Sequence, residues 1–151
     1  MEIRELSQEE LPQAIALAER VFLQFEAPEY EPQGVETFLS FIHNPESVSE
    51  LTVYGALADG AVVGIIATRG NSHISLFFVD AARQGRGIGR TLFHAAREAC
   101  TADIMTVNSS PYAVEIYRRL GFVPLSEERV TDGIRFTPMK YVFSTKNQNS
   151  H

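Results

Sequence analysis

The segment Val79–Leu92, VDAARQGRGIGRTL, constrains this chain more than any other. A mostly apolar strand, His73–Val79, runs towards three alternate glycines, Gly85, Gly87 and Gly89. A helix follows at once, with the apolar stripe Ile88, Leu92, Ala95 (with Ala96) and Ala99. Glycine admits positive φ and lets a ligand come close to the backbone. The first amides of a helix have no internal partner, and that end carries the positive pole of the helix dipole. Strand, glycine turn and helix together predict an anion site, most naturally for phosphate. Arg83, Arg86 and Arg90 cluster there although the formal net charge is -6. The arginine fork matches two phosphate oxygens at once.

Two common nucleotide loops fail on spacing. A Walker loop needs Gly-Lys-Ser/Thr, and the lysines here are Lys140 and Lys146. The dinucleotide pattern G-x-G-x-x-G places Arg90 or Leu92 where its last glycine belongs.

Around this segment the chain reads as a mixed α/β domain. Glu2–Leu6 is a short strand. Ser7 to Glu10 fits a capping box, and Pro12 delays the helix to about Leu11, with the stripe Leu11, Ile15, Ala18, Phe22 and Phe25. Residues 27–32, with two prolines, predict a loop, and Val35–Ile42 a second helix. Residues 51–59 and 61–69 form a hairpin across Asp59-Gly60. After the glycine-turn helix, Asp103–Val107 is a strand. Ser110-Pro111 opens a helix that Gly121 ends in the left-handed conformation, and residues 122–125 and 134–143 complete the sheet. Pro138 within the last strand implies an edge or a bulge. The order is β-α-α-β-β-β-α-β-α-β-β, a mixed and mostly antiparallel sheet with helices on both faces.

Composition narrows the class. A length of 151 residues suits one domain, 44% hydrophobic and 21% charged residues suit a globular one, and residues 144–151 read as a flexible tail. The lone Cys100 excludes an internal disulfide framework and a multi-cysteine zinc site, and no metal is expected. An acidic balance argues against nucleic acid as partner. The most apolar run, residues 61–68, is too short to span a membrane, and the amino terminus lacks a signal-like apolar region, so the cytoplasm is the default location.

The spacing Gln84-x-x-Gly87-x-Gly89 resembles the Q/R-x-x-G-x-G/A pyrophosphate loop of the GCN5-related N-acetyltransferases (GNAT). Asn108 through Phe122, NSSPYAVEIYRRLGF, looks like that family's second motif, and residues 132–139, DGIRFTPM, like a common ending. The resemblance covers nearly the whole chain and includes the order of elements. It implies an acyl-CoA N-acyltransferase fold and direct transfer from acetyl-CoA to an amine. On that resemblance, the pantetheine arm meets the backbone of Phe77, Phe78 and Val79. The pyrophosphate sits on the amides from Gln84 through Gly85, Arg86, Gly87, Ile88 and Gly89 to Arg90, with charge added by Arg86 and Arg90. The fourth and fifth strands splay apart, and Asn108 lies beside the pantetheine.

Tyr117 matches the tyrosine that family members use as general acid. A thiol titrates near 8.5 and a phenol near 10, so a nearby hydroxyl can protonate the departing sulfur. Tyr117 also lies on the stripe Ala113, Tyr117, Leu120, where a core aromatic would sit. Tyr112, five residues earlier, is a weaker rival on another face. The base is open: the family often places a Glu on the fourth strand, but His73–Val79 has no carboxylate, which leaves Ser75 holding a water, or His73. The loop carrying Glu26, Glu29, Tyr30 and Glu31 would line the acceptor site and is compatible with a cationic small-molecule or peptide amine. Family members are often homodimers, although no interface stripe stands out. The rival reading is a non-catalytic acyl-CoA-binding or sensing module on the same fold.

Overall fold

The computed structural model describes residues 1–143, and the expected tail, residues 144–151, lies outside the described residues. The strands are β1 (Glu2–Glu5), β2 (Leu51–Ala58), β3 (Ala61–Arg69), β4 (His73–Val79), β5 (Ile104–Ser109), β6 (Val123–Pro124), β7 (Arg129–Thr131) and β8 (Ile134–Val142). They form one sheet in the order β1-β2-β3-β4-β5-β8-β6, with β7 paired to β8. Every pair is antiparallel except β4 with β5. The helices are α1 (Leu11–Phe25), α2 (Pro32–Ile42), α3 (Pro45–Ser49), α4 (Ile88–Ala99) and α5 (Val114–Leu120).

Each face of the sheet carries its own core. On one face α1 and α2 lay Leu17, Phe22 and Ile42 against Ile65, Leu76 and Phe78. On the other, α4 and α5 lay Leu92, Phe93 and Tyr117 against Ile66, Met105 and Met139. The parallel β4–β5 pair has little covalent help from a short turn, so the crossover helix α4 joins the two strands.

Most expected elements are present, with five differences. The buried row of α1 is Ala14, Leu17, Ala18, Val21 and Phe22, so the stripe is turned relative to the expected Leu11, Ile15 and Phe25, which sit at its margin. Helix α2 starts at Pro32 rather than Val35, because proline at the first helical position is already at a helical φ. Helix α3 was not expected: Asn44 caps it, its Oδ1 accepting from Glu46 N–H at 2.9 Å. Helix α5 begins at Val114, since Ser110 to Ala113 closes as a separate turn, with Ala113 N–H on Ser110 O at 3.1 Å. A short strand, β7, adds a hairpin before β8.

Pro138 sits in an interior strand, between β5 and the β6–β7 side. β6 pairs at Met139 and Lys140, and β7 from Ile134 to Phe136. Pro138 thus falls at the junction between two short partners. Its carbonyl accepts from Leu125 N–H at 2.8 Å, so its ring nitrogen, on the same side, faces the chain just past β6 and the β5 ladder loses no donor; the strand is interior, not the expected edge.

Candidate active site

The opening in the sheet starts at a bulge. Ala67 pairs with Leu76 and Thr68 with Ile74, so Ser75 is the extra residue on β4. A bulge bends its strand and re-aims side chains. Here Ile74 packs on the α4 face, whereas Leu76 and Phe78 pack on the α1 face. Pairing with β5 stops at the same place: only His73↔Thr106 and Ile74↔Val107 are joined. Beyond them β4 and β5 diverge.

Strand alternation decides which backbone groups line the gap. Asp80 N–H donates to Val63 O at 2.8 Å, so Phe78, two residues earlier, also turns its backbone to β3. Phe77 and Val79 therefore present theirs to the open side. On β5, Thr106 N–H reaches Ser72 O at 2.8 Å, which places the backbone of Asn108 on the open side as well. Of the three expected β4 positions, Phe77 and Val79 offer backbone to the gap, and Phe78 offers a core side chain, 5% exposed.

The glycine turn closes one mouth of the gap. Gly85 and Gly87 have φ of 80° and 82°, left-handed values that only glycine takes freely. Gly87 caps α4, and the Gln84 side chain donates to Val79 O at 3.1 Å, tying the turn to the end of β4. Ile88 is buried at 3% exposure and anchors the first turn of α4 in the core. The first-turn amides are left without helical partners, as at any helix start.

Two cavities meet in this gap. One, of about 330 Å³, is lined by the turn (Arg83, Gln84, Gly85, Gly87, Ile88 and Gly89), by Phe77 and Val79, and by Tyr112, Ile116 and Arg119. The other, of about 270 Å³, is lined by Ser75, Asn108, Ser109, Ser110, Thr37, Phe38, Phe41, Tyr30 and Ile134. Both are lined by Glu26, Phe77, Phe78, Ala113 and Tyr117, which mark the neck. Over the neck, the rings of Phe25 and Tyr112 stack with centroids 5.3 Å apart, joining the end of α1 to the turn before α5.

Tyr117 is packed between Phe77, at 5.8 Å, and Phe122, at 5.3 Å. Its hydroxyl makes no hydrogen bond to any described residue, yet it is not a sealed orphan, because the residue lines both cavities. Burial, followed by the nearby Glu26 charge, pushes its pKa well above the usual phenol range. The hydroxyl is therefore held as a proton donor. Glu26 is pushed up to about 7, chiefly by burial and further by Glu29, while the Ser110 hydroxyl works the other way.

The remaining sequence candidates separate. His73 is outside the gap: its Nδ1 lies 2.8 Å from Thr106 Oγ1, and burial followed by Arg69 lowers its pKa. Arg86 and Arg90 are exposed and line neither cavity, whereas Arg83 and Arg119 line the glycine-turn side. Arg119 was not anticipated. Glu26 lies on the acceptor side, as its loop predicts, but its reach to the glycine-turn cavity was not anticipated. The signal was present: Ala14, Ala18 and Phe22 form an i, i+4 row on the buried face of α1, and the next step is Glu26.

Comparison with known proteins gives one family. The model of the acetyltransferase (GNAT) domain matches residues 26–143. Among solved structures, the chain is similar to a GCN5-related N-acetyltransferase from Rhodopseudomonas palustris, with 23% identity over 94% of this chain and 95% of that one, at a TM-score of 0.82. It is also similar to the PaiA N-acetyltransferase of Thermoplasma acidophilum in complex with coenzyme A, at 22% identity, 94% and 98% coverage and TM-score 0.67. The apo form of YjaB from Escherichia coli gives 21% identity, 93% and 97% coverage and TM-score 0.73. No curated protein sequence matches the chain.

Proposed function

The chain belongs to the GNAT acetyltransferase family, and from that premise we propose that it transfers an acetyl group from acetyl-CoA to an amine by direct attack. The observation that carries this reading is the neck: two cavities share Tyr117 where β4 and β5 cease to pair. The glycine-turn cavity suits coenzyme A. Its free helix amides and the guanidinium groups of Arg83 and Arg119 offer donors to phosphates, and Phe77 and Val79, with Asn108 across the neck in the other cavity, offer backbone to the amides of pantetheine. The other cavity, walled by Phe38, Phe41 and Tyr30, suits the acceptor. A PaiA acetyltransferase of the same fold holds coenzyme A.

Tyr117 is the general acid in this reading. When the amine has attacked the thioester carbonyl, the carbon–sulfur bond breaks and the sulfur takes the phenolic proton. Burial keeps the hydroxyl protonated before the reaction, so it stands as a hydrogen-bond donor to the sulfur as negative charge develops there.

The test is calorimetric titration with acetyl-CoA, CoA and ATP, followed by thiol release with a panel of amines. Saturable binding of acetyl-CoA and CoA, none of ATP, and turnover with at least one amine are expected. Tyr117→Phe should lose about 10²-fold or more in kcat with acetyl-CoA affinity unchanged. Binding without turnover towards any amine would instead favour a sensing module, and absence of binding would sink both readings.

A further inference from the structure

We propose that Glu26, at the carboxyl end of α1, is the base that takes the proton from the attacking amine. The inference rests on the acyltransferase reading above and names a residue that the reading leaves open. Among the described residues Glu26 is the sole carboxylate lining either cavity, and it lines both, as Tyr117 does. The fourth strand, where a carboxylate base would otherwise stand, reads His-Ile-Ser-Leu-Phe-Phe-Val and has none. His73 is already engaged with Thr106 and lines neither cavity.

The position of Glu26 is built rather than incidental. It continues the buried row Ala14, Ala18, Phe22, and its N–H still donates to Phe22 O at 2.9 Å, so the backbone that carries it is fixed to the helix. The groups that face it are Glu29 and Tyr30 from the following turn, Ser110 and Tyr112 from the turn before α5, and Tyr117 from α5. None of these is a cation, and Glu26 joins no salt bridge among the described residues. A structural carboxylate in such a place would have an arginine or lysine partner. Glu26 has a hydroxyl cluster and an open cavity instead.

The proton balance is complete with residues of this chain. An alkyl ammonium near 10.4 must lose a proton before it can attack. Glu26 accepts that proton and passes it to solvent through the acceptor mouth. The free amine then forms the carbon–nitrogen bond. As the carbon–sulfur bond breaks, the nitrogen's second proton goes to Glu26 and the phenolic proton of Tyr117 goes to sulfur. Transfer from the Glu26 carboxyl back to the Tyr117 phenolate restores both groups. A carboxyl titrating near neutrality is ionised often enough to act and basic enough to be useful.

The experiment uses the whole chain saturated with acetyl-CoA. Glutamate carboxyls are labelled with carbon-13 and followed by NMR across the acid-to-alkaline range, in wild type and in Glu26→Gln. Thiol release with alkyl amines is measured over the same range, and acetyl-CoA affinity by calorimetry. One carboxyl should titrate near neutrality and be missing from Glu26→Gln. The acid limb of kcat/KM should fall at that same pH, and Glu26→Gln should lose about 10²-fold with unchanged acetyl-CoA affinity. Glu26→Asp, which keeps the carboxylate on a shorter stem, should recover part of the rate. A Glu26 that titrates in the ordinary carboxylate range overturns the assignment, as does a Glu26→Gln that keeps the wild-type rate and pH profile. A wild type that fails to bind acetyl-CoA, or binds it and releases no thiol with any amine, overturns the acyltransferase reading and the role of Glu26 with it.

Discussion

At the scale of single residues, Glu10 and Glu26 flank the same helix and titrate in opposite directions. Glu10 accepts from both Arg4 Nη1 and Nη2 at 2.7 Å and from Ser7 N–H at 2.9 Å. Hydrogen bonding to Arg4, then to Ser7, holds its carboxyl down to about 2 from an ordinary 4.5. The folded protein therefore releases this proton more readily than the unfolded chain. The contribution to stability is complete above about pH 4.5 and is lost as the pH falls towards 2. Glu10→Gln should be less stable than wild type at neutral pH, and urea midpoints should show the gap closing over that window. Glu26 has no cation, and burial raises its carboxyl to about 7. Here the folded protein holds the proton longer, so stability falls as pH rises from 4.5 to 7 and the penalty is full above that. Glu26→Gln should be more stable than wild type at pH above 7 by roughly 1–3 kcal/mol, with the gap vanishing in acid. A gap that is the same at every pH would contradict the burial of the Glu26 charge. Stability given up at the neck is what a carboxylate without a cation partner costs the fold.

At the scale of elements, the start of α4 shows which glycines the site needs. Gly87 sits at φ 82°, and a side chain there is strained even though no atom lies within 4 Å. Gly87→Ala should cost about 1–2 kcal/mol and misplace the first amides of α4, weakening coenzyme A binding in calorimetry. Gly89 is already helical, and a Cβ there would find Phe77 Cζ at an ordinary 3.5 Å. Gly89→Ala should raise stability by up to about 1 kcal/mol through helix propensity and leave coenzyme A binding intact. Equal loss of binding in both variants would mean that the turn acts through close approach, not through its left-handed backbone. This turn was legible in sequence because it is local: glycine spacing, a strand before and a stripe after all lie within a few residues. The hairpin at Asp59-Gly60 and the stop at Gly121 were legible for the same reason, and both have positive φ. Helix α3 and strand β7 went unread although each carries a local signal: Asn44-Pro45 caps the five-residue α3, and Asp132-Gly133, both at positive φ, turns the three-residue β7 into β8. The place of Glu26 at the neck, rather than on the acceptor side alone, was hidden differently. A charged residue interrupts a hydrophobic pattern, so the pattern reads as ended, although the half-buried Glu26 continues the line of the row just past the end of α1. The half-buried flank of Ile15 and Leu11 drew the expected stripe away from the true axis for a related reason: alanines mark a buried face only weakly by hydrophobicity, but they let α1 approach the sheet.

At the scale of the whole molecule, the two halves of the gap are built from different parts of the chain. The side proposed for coenzyme A comes from the end of β4, the glycine turn, α4 and α5. The acceptor side depends on α2 and on the far hairpin β7–β8, which meet backbone to backbone. A Cβ built on Gly34 would fall 2.2 Å from Gly133 O, and one on Gly133 would fall 2.5 Å from Gly34 N. Thr37 Oγ1 donates to Asp132 O at 2.8 Å, and Arg135 Nη1 to Glu29 O at 3.0 Å, so the clasp is also hydrogen-bonded. Nothing local in either sequence segment announces this contact, because its two sides are nearly a hundred residues apart. Gly34→Ala cannot be absorbed by a flexible side chain, because both partners are backbone. It should cost about 1–3 kcal/mol as overpacking. It should speed hydrogen exchange in α2 and in the β7–β8 turn while leaving α4 and α5 protected. Because the glycine turn stands on the other half and Tyr117 at the neck rests on α5, acetyl-CoA affinity should be unchanged, and the loss should fall on KM for the amine. If Gly34→Ala weakened acetyl-CoA binding as much as it raised the amine KM, the two halves would be one cooperative unit, and the division of the gap into a coenzyme A side and an acceptor side would have to be abandoned.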